Sequence, residues 1–173
     1  DLHRWLQNNS WLQLKPYWIT VMLYADSDAV RPAPVRVPII LPHELMFALW
    51  RSGLRNFTQV LFNGREPHST LAEFWEQAVQ SPWAVEHPSV RDNLEYLEWL
   101  IPLILHVDGA NAYSNQECVV YSFGSPLAHG GHCYNQRLFT ASFMAETYDH
   151  PVLKDLVNKT MANVYAWSFE LLE

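Results

Sequence analysis

Cysteine is nearly missing from this chain: 173 residues hold two, Cys118 and Cys133. So few thiols do not staple a domain of this size, which excludes a disulfide scaffold as the main source of stability. Positive charge is scarce too, with 11 Lys and Arg against 18 Asp and Glu and a net charge of −7. Affinity built on phosphate contacts needs clustered cations. Arg51 and Arg55 share one helical face but make no basic stripe, so sequence-independent nucleic-acid binding is disfavoured. No apolar run approaches the ~20 residues of a membrane span, which argues against a membrane partner. There is no internal repeat and no low-complexity tract. Asn8, Asn56 and Asn158 fit the N-glycosylation triplet, but with no leader pattern they read as chance matches.

What is present is apolar bulk. Hydrophobic residues make up 49% of the chain and aromatics 14%, ample for a packed core and far from a disordered composition. The chain opens at Asp1 without Met and stops at Glu173 on an amphipathic run, so the expectation is a piece of a longer polypeptide. An intracellular location is expected, with the nucleus as the narrower reading.

Patterning gives an α/β (α+β) chain. Tyr17–Tyr24 and Val35–Leu41 are rich in β-formers and flank turn chemistry, which predicts a hairpin, with Pro38 marking an edge strand. Leu41-Pro42-His43-Glu44 opens a helix with Met46, Leu49 and Trp50 on one face, and Gly53 closes it. Phe57–Phe62 reads as a short strand and Asn63-Gly64 as a turn. Thr70 and Glu73 form a capping box for a helix that buries Leu71, Phe74, Trp75, Ala78 and Val79. Pro88 starts another helix, with Val90, Leu94 and Leu97 inward. Three apolar runs follow, Leu103–Val107, Cys118–Phe123 and Leu138–Phe143, separated by turn formers. Asp149 and Pro151 start a long helix with Leu153, Leu156, Val157, Thr160, Val164 and Ser168 on one face, beside Met161, Leu171 and Leu172. The expected organisation is a helical N-terminal lobe with a β-hairpin over residues 1–100, and a three-stranded antiparallel sheet with a long C-terminal helix over 101–173. Trp50, Trp75, Trp83, Trp99 and Trp167 sit at helical spacing beside Leu and Phe, which favours core over base-stacking platforms.

The candidate chemistry centres on Asp108, at the end of the first apolar run. An acid at the end of a buried strand can hold Mg²⁺ or Mn²⁺, since hard cations prefer carboxylate oxygens and two-metal phosphoryl transfer needs converging acids. Glu117 and Glu146, at strand ends, are the further carboxylates in reach. His106 shares a strand face with Asp108 and can orient it through a hydrogen bond. The plain alternative is that Asp108-Gly109 is a turn pair. His129, His132 and Cys133 form an alternative zinc cluster, but no partner pair completes the four ligands of a structural site. Gly124-Ser125-Pro126 lacks the pattern of a nucleophile elbow, and Pro126 removes the backbone N–H an oxyanion hole would use.

Pro42-His43-Glu44, then Phe74-Trp75, Trp83 with His87-Pro88, Ile101-Pro102-Leu103 and His106-Val107-Asp108-Gly109 together resemble a large family of proteins abundant in dinoflagellate genomes and similar to products of mobile elements. Its hallmark resembles PHE…FW…W…HP…IP(L/I)xxHGDG, with Val107 here in place of the first Gly. The resemblance spans roughly residues 17–145. It implies the opening of a ribonuclease H-like transposase core, with Asp108 in the place of the first catalytic Asp and the remaining acids beyond Glu173. The implied function is transposase- or integrase-like DNA strand transfer using Mg²⁺ or Mn²⁺, with DNA held through other parts of the chain. The rival expectation is a non-catalytic, domesticated structural or interaction module.

Overall fold

The structure is a computed structural model and describes residues 14–24, 31–111, 117–128, 137–148 and 151–172. It is an α+β fold, with a two-stranded sheet, a three-stranded antiparallel sheet and a long C-terminal helix. The chain forms two compact units. The first holds the described residues of Asp1–Ser52, Leu105–Phe123 and Leu138–Glu173; the second holds those of Gly53–Ile104 and Gly124–Arg137. The chain passes from the second unit back to the first at Ile104/Leu105.

The first unit starts with a hairpin of β1 (Tyr17–Leu23) and β2 (Ala33–Ile39), antiparallel with Ile19 opposite Val37 and Trp18 opposite Pro38. Burial alternates along both strands, because successive strand side chains point to opposite faces. Ile19, Val21 and Leu23 are buried from β1, and Val37 and Ile39 from β2. Their inner face joins Tyr121, Ala141 and Phe143 of the larger sheet and Val157, Met161 and Tyr165 of the long helix in one core. The larger sheet has the order β3 (Ile104–Asn111), β4 (Glu117–Gly124), β5 (Leu138–Met144). Helix α1 (Pro42–Arg51) follows the hairpin and buries Pro42, Leu45, Met46 and Leu49.

A bulge between Tyr121 and Ser122 shifts the β4–β5 register, so that Tyr121 faces Ala141 while Ser122 faces Phe139. Thr140 is the extra residue. The bulge changes the phase of β5, so Leu138 and Thr140 are buried before it and Ala141 and Phe143 after it. Thr140 donates to the Tyr121 carbonyl at 2.8 Å and bonds the Tyr165 hydroxyl. Its own carbonyl accepts from the Ile40 amide at 2.8 Å, tying the hairpin to β5.

In the second unit, α2 (Leu54–Phe62) buries Phe57, Leu61 and Phe62. The strand expected at Phe57–Phe62 is therefore helix: these apolar residues fall at helical spacing, and short apolar runs do not distinguish the two states. Asn63 and Gly64 make the expected turn, both at positive φ. Helix α3 (Pro67–Ala78) begins at Pro67 and not at the Thr70–Glu73 box. The Glu66 carboxylate caps it, accepting from the amides of His68 and Ser69, while the Thr70 hydroxyl donates to the Glu66 carbonyl. Short helices α4 (Pro82–Val85) and α5 (Pro88–Arg91) and a 3-10 turn (Leu94–Trp99) complete this stretch. Val90 is inward as expected, but Leu94 is exposed. The Trp75 indole donates to the Leu100 carbonyl at 2.8 Å, and the Arg65 guanidinium to the Leu127 carbonyl at 2.6 Å. Each satisfies a backbone acceptor where no regular ladder does so.

Back in the first unit, β5 leads into α6 (Ala145–Tyr148) and α7 (Pro151–Glu170). The buried stripe of α7 is Leu153, Val157, Met161, Tyr165 and Ser168. It is rotated from the expected face: Leu156 is exposed, and Tyr165 sits where the core needs a large side chain with a polar tip. Of the five tryptophans expected in the core, only Trp75 is buried; Trp50, Trp83, Trp99 and Trp167 are exposed.

Candidate functional site

Asp108 lies within β3, which runs three residues further to Asn111. The Asp108-Gly109 pair is thus strand and not the turn that was its plain alternative. The strand is not the buried one expected either: Ile104, Leu105 and Val107 are each close to half-exposed, and Asp108 is exposed. An outer strand of a three-stranded sheet has a partner on one edge only, which leaves it open to solvent. His106 is half-buried and falls on the Asp108 face by strand alternation. Glu117 opens β4 and is exposed. Glu146 belongs to α6, but its side chain lies outside the described residues, as do His129, His132 and Cys133. Among the described residues no three His, Cys, Asp or Glu side chains converge as a metal site would require. Ser125 is buried and accepts from the Leu127 amide at 3.2 Å, which makes it the cap of the 3-10 turn Pro126–Ala128.

A different surface of the first unit is more fully assembled. Helix α1 has no cap from its own N-cap residue, Leu41. Ser168 of α7 supplies one: its hydroxyl accepts from the His43 amide at 3.0 Å and lies 2.9 Å from His43 Nδ1. A serine beside a histidine is the donor pair of nucleophilic catalysis. Ser168 is 0% exposed, however, so no substrate atom reaches it and the contact is a clamp between two helices.

Around this clamp the rings are exposed. Trp167 meets the edge of His43 at 5.8 Å and lies 6.2 Å from Tyr17. Phe47 is one turn along α1 from His43, and Leu171 follows one turn after Trp167. Tyr17, Phe47, Trp50, Trp167 and Leu171 are all between 45% and 59% exposed. Arg51 lies over the Phe47 ring at 5.7 Å, and Arg36 over Trp18 at 5.3 Å, each holding a flat aromatic face in place. The sequence carried a partial signal for this surface. Phe47 falls off the Leu45–Leu49 stripe of α1 and so had to look outward, whereas Trp50, expected on one face with Met46 and Leu49, is exposed against that expectation.

Compared with protein-family models, with curated proteins and with solved structures, the chain matches none. Its function is therefore argued from this geometry. The described helices include none long and apolar enough to cross a membrane.

Proposed function

We propose that the protein is a protein-interaction module whose first unit binds an apolar segment of another protein on the face formed by Tyr17, Phe47, Trp50, Trp167 and Leu171. The observation that carries this is the set of exposed apolar side chains on β1, α1 and α7, in which Tyr17 and His43 both meet Trp167 beside the Ser168 clamp. Aromatic side chains bury large areas at low entropic cost and dominate the energetics of interfaces. Contiguous exposed apolar patches mark interaction sites. The clamp fixes the two helices that present the rings, so little ordering remains to be done on binding.

The test is selection from a random peptide library displayed on phage against the full chain. Phe47→Ser and Trp167→Ser variants, checked for native circular dichroism, serve as counter-targets. The expected result is enrichment of aromatic or leucine-bearing peptides that the variants no longer retain. Equal retention by both variants, or no enrichment, overturns the reading.

A second reading has one observation in its favour, the solvent exposure of Asp108 on the open strand β3 with His106 on the same face. Here the chain is part of a transposase- or integrase-like strand-transfer protein, with Asp108 as first ligand of Mg²⁺ or Mn²⁺ and other acids supplied elsewhere. Mn²⁺ should then broaden the NMR signals of β3, and Asp108→Asn should abolish that broadening. Broadening unaffected by Asp108→Asn removes this reading.

A further inference from the structure

The second unit contains a cleft between α3 and the 3-10 turn, of about 210 Å³. Its apolar lining comes from Trp75, Val79, Leu94 and Leu97. Trp75 is held there by its indole hydrogen bond to the Leu100 carbonyl, so the floor is fixed. Glu76, Glu95 and Glu98 also line the cleft, and no Lys or Arg does. Glu98 stands 3.5 Å from His68. Glu76 and Glu95 have no cationic partner among the described residues.

Three carboxylates around one apolar cleft repel one another and focus a negative potential into it. They do not converge as a metal site, since among the described residues no three such side chains do. The volume lies below the ~300–1,000 Å³ of small-molecule sites and suits one or two side chains of a longer ligand. The ligand these features fit has an aliphatic body for the floor and a positive charge for the rim.

We infer that this cleft is a docking site for a basic, leucine-bearing peptide segment of a partner protein. Charge complementarity commits the occupant: an acidic or neutral segment leaves Glu76 and Glu95 without a cation, whereas Lys or Arg beside Leu satisfies floor and rim together. The site is separate from the aromatic face of the first unit and does not depend on it.

Fluorescence anisotropy on the full chain tests this with a labelled Leu-Lys-Lys-Leu-Leu-Lys-Lys-Leu peptide and its counterpart with Glu in place of Lys. Glu76→Gln/Glu95→Gln/Glu98→Gln should weaken binding of the basic peptide about tenfold or more. A control with the same change in net charge, Glu73→Gln/Glu86→Gln/Asp155→Asn, should leave it within about twofold. Leu97→Ser should weaken it while leaving the acid rim intact, and the acidic peptide should not bind. Equal weakening by the two triple variants reduces the effect to net charge and overturns the site. So does binding of the acidic peptide, or no binding of the basic one.

Discussion

The two units are built in different ways from the same apolar-rich composition. The first gains its core from alternation, with two sheets and the α7 stripe meeting at Tyr121, Phe143 and Tyr165. Its buried polar groups are tied to one another, Tyr165 to Thr140 and Tyr121 to Asn158. The second is a run of short helices, three of which begin with Pro at the first position: Pro67, Pro82 and Pro88. Its long side chains fasten loops through backbone carbonyls. Regular ladders let the first unit bury one face of its strands, while the second buries a few large side chains and closes each short helix locally. Local perturbations should therefore separate them.

The largest effect is expected in the cores. Phe62→Ala removes a fully buried ring from α2 and should cost ~3–5 kcal/mol; Met161→Ala in α7 should cost ~2–5 kcal/mol. Hydrogen exchange read by mass spectrometry should show the first loss of protection in α2 and α3 for Phe62→Ala, and in α7, β4 and β5 for Met161→Ala. Identical loss across both units in both variants breaks the comparison.

Backbone strain gives the next contrast. Gly53 has φ 105°, ψ 154°, a region that side chains rarely enter, although a Cβ there would meet nothing within 4 Å. Gly53→Ala should cost ~1–3 kcal/mol from conformation alone. Gly109 also has open space, but it lies in β3 without a positive φ. Gly109→Ala should be neutral or stabilising by up to ~1 kcal/mol, because glycine weakens a strand. Urea melts of the two variants measure the difference, and equal destabilisation removes the strain argument.

Alkaline pH should act on the first unit through Tyr165. Burial pushes its phenol above the usual tyrosine range, partly offset by the hydrogen bond with Thr140. The neutral form is thus favoured in the fold, while the unfolded chain ionises near pH ~10. The stabilisation is complete below that pH and is lost as pH rises toward the raised folded value. Tyr165→Phe should cost ~1–2 kcal/mol at pH 7, since Thr140 loses its donor. The gap to wild type should narrow above pH ~10, which urea melts at both pH values will show. A constant gap means that Tyr165 ionises normally.

These contrasts also mark what the sequence could reveal. The hairpin and the three strands of the larger sheet are legible because runs of β-formers and apolar residues stand between Pro, Asp and Gly, and the long helix because apolar residues recur at helical spacing after Pro151. The Phe57–Phe62 segment was not, since a few apolar residues fit either period until their neighbours are known. The α7 face was misjudged by rotation because apolar residues nearly surround that helix. For Asp108 the strand end was the signal, and β3 runs past it. The His43–Ser168 clamp joins residues 125 apart, which no local pattern connects. Tryptophan composition likewise cannot say which rings find a cavity: Trp75 has the Leu100 carbonyl for its indole N–H and is buried, whereas Trp167 packs edge-on and stays exposed.

The smallest effect belongs to the second unit and to acid pH. Glu66 caps α3, and hydrogen bonds from Ser69, first its amide and then its side chain, followed by the His68 amide, hold its carboxyl below the ordinary glutamate range. A lowered folded value means that the cap's contribution is present above the unfolded value and fades as pH falls through the folded one. Between pH ~5 and ~3 the amide NMR signals of His68 and Ser69 should move with a midpoint below that of a free glutamate. Glu66→Gln keeps an acceptor oxygen but no charge, so it should erase this titration and fray only the first turn of α3. The amides of β2 in the first unit, a strand that carries no carboxylate, should not move over the same range. Matching shifts in α3 and β2 would trace the acid response to the fold as a whole and not to this one cap.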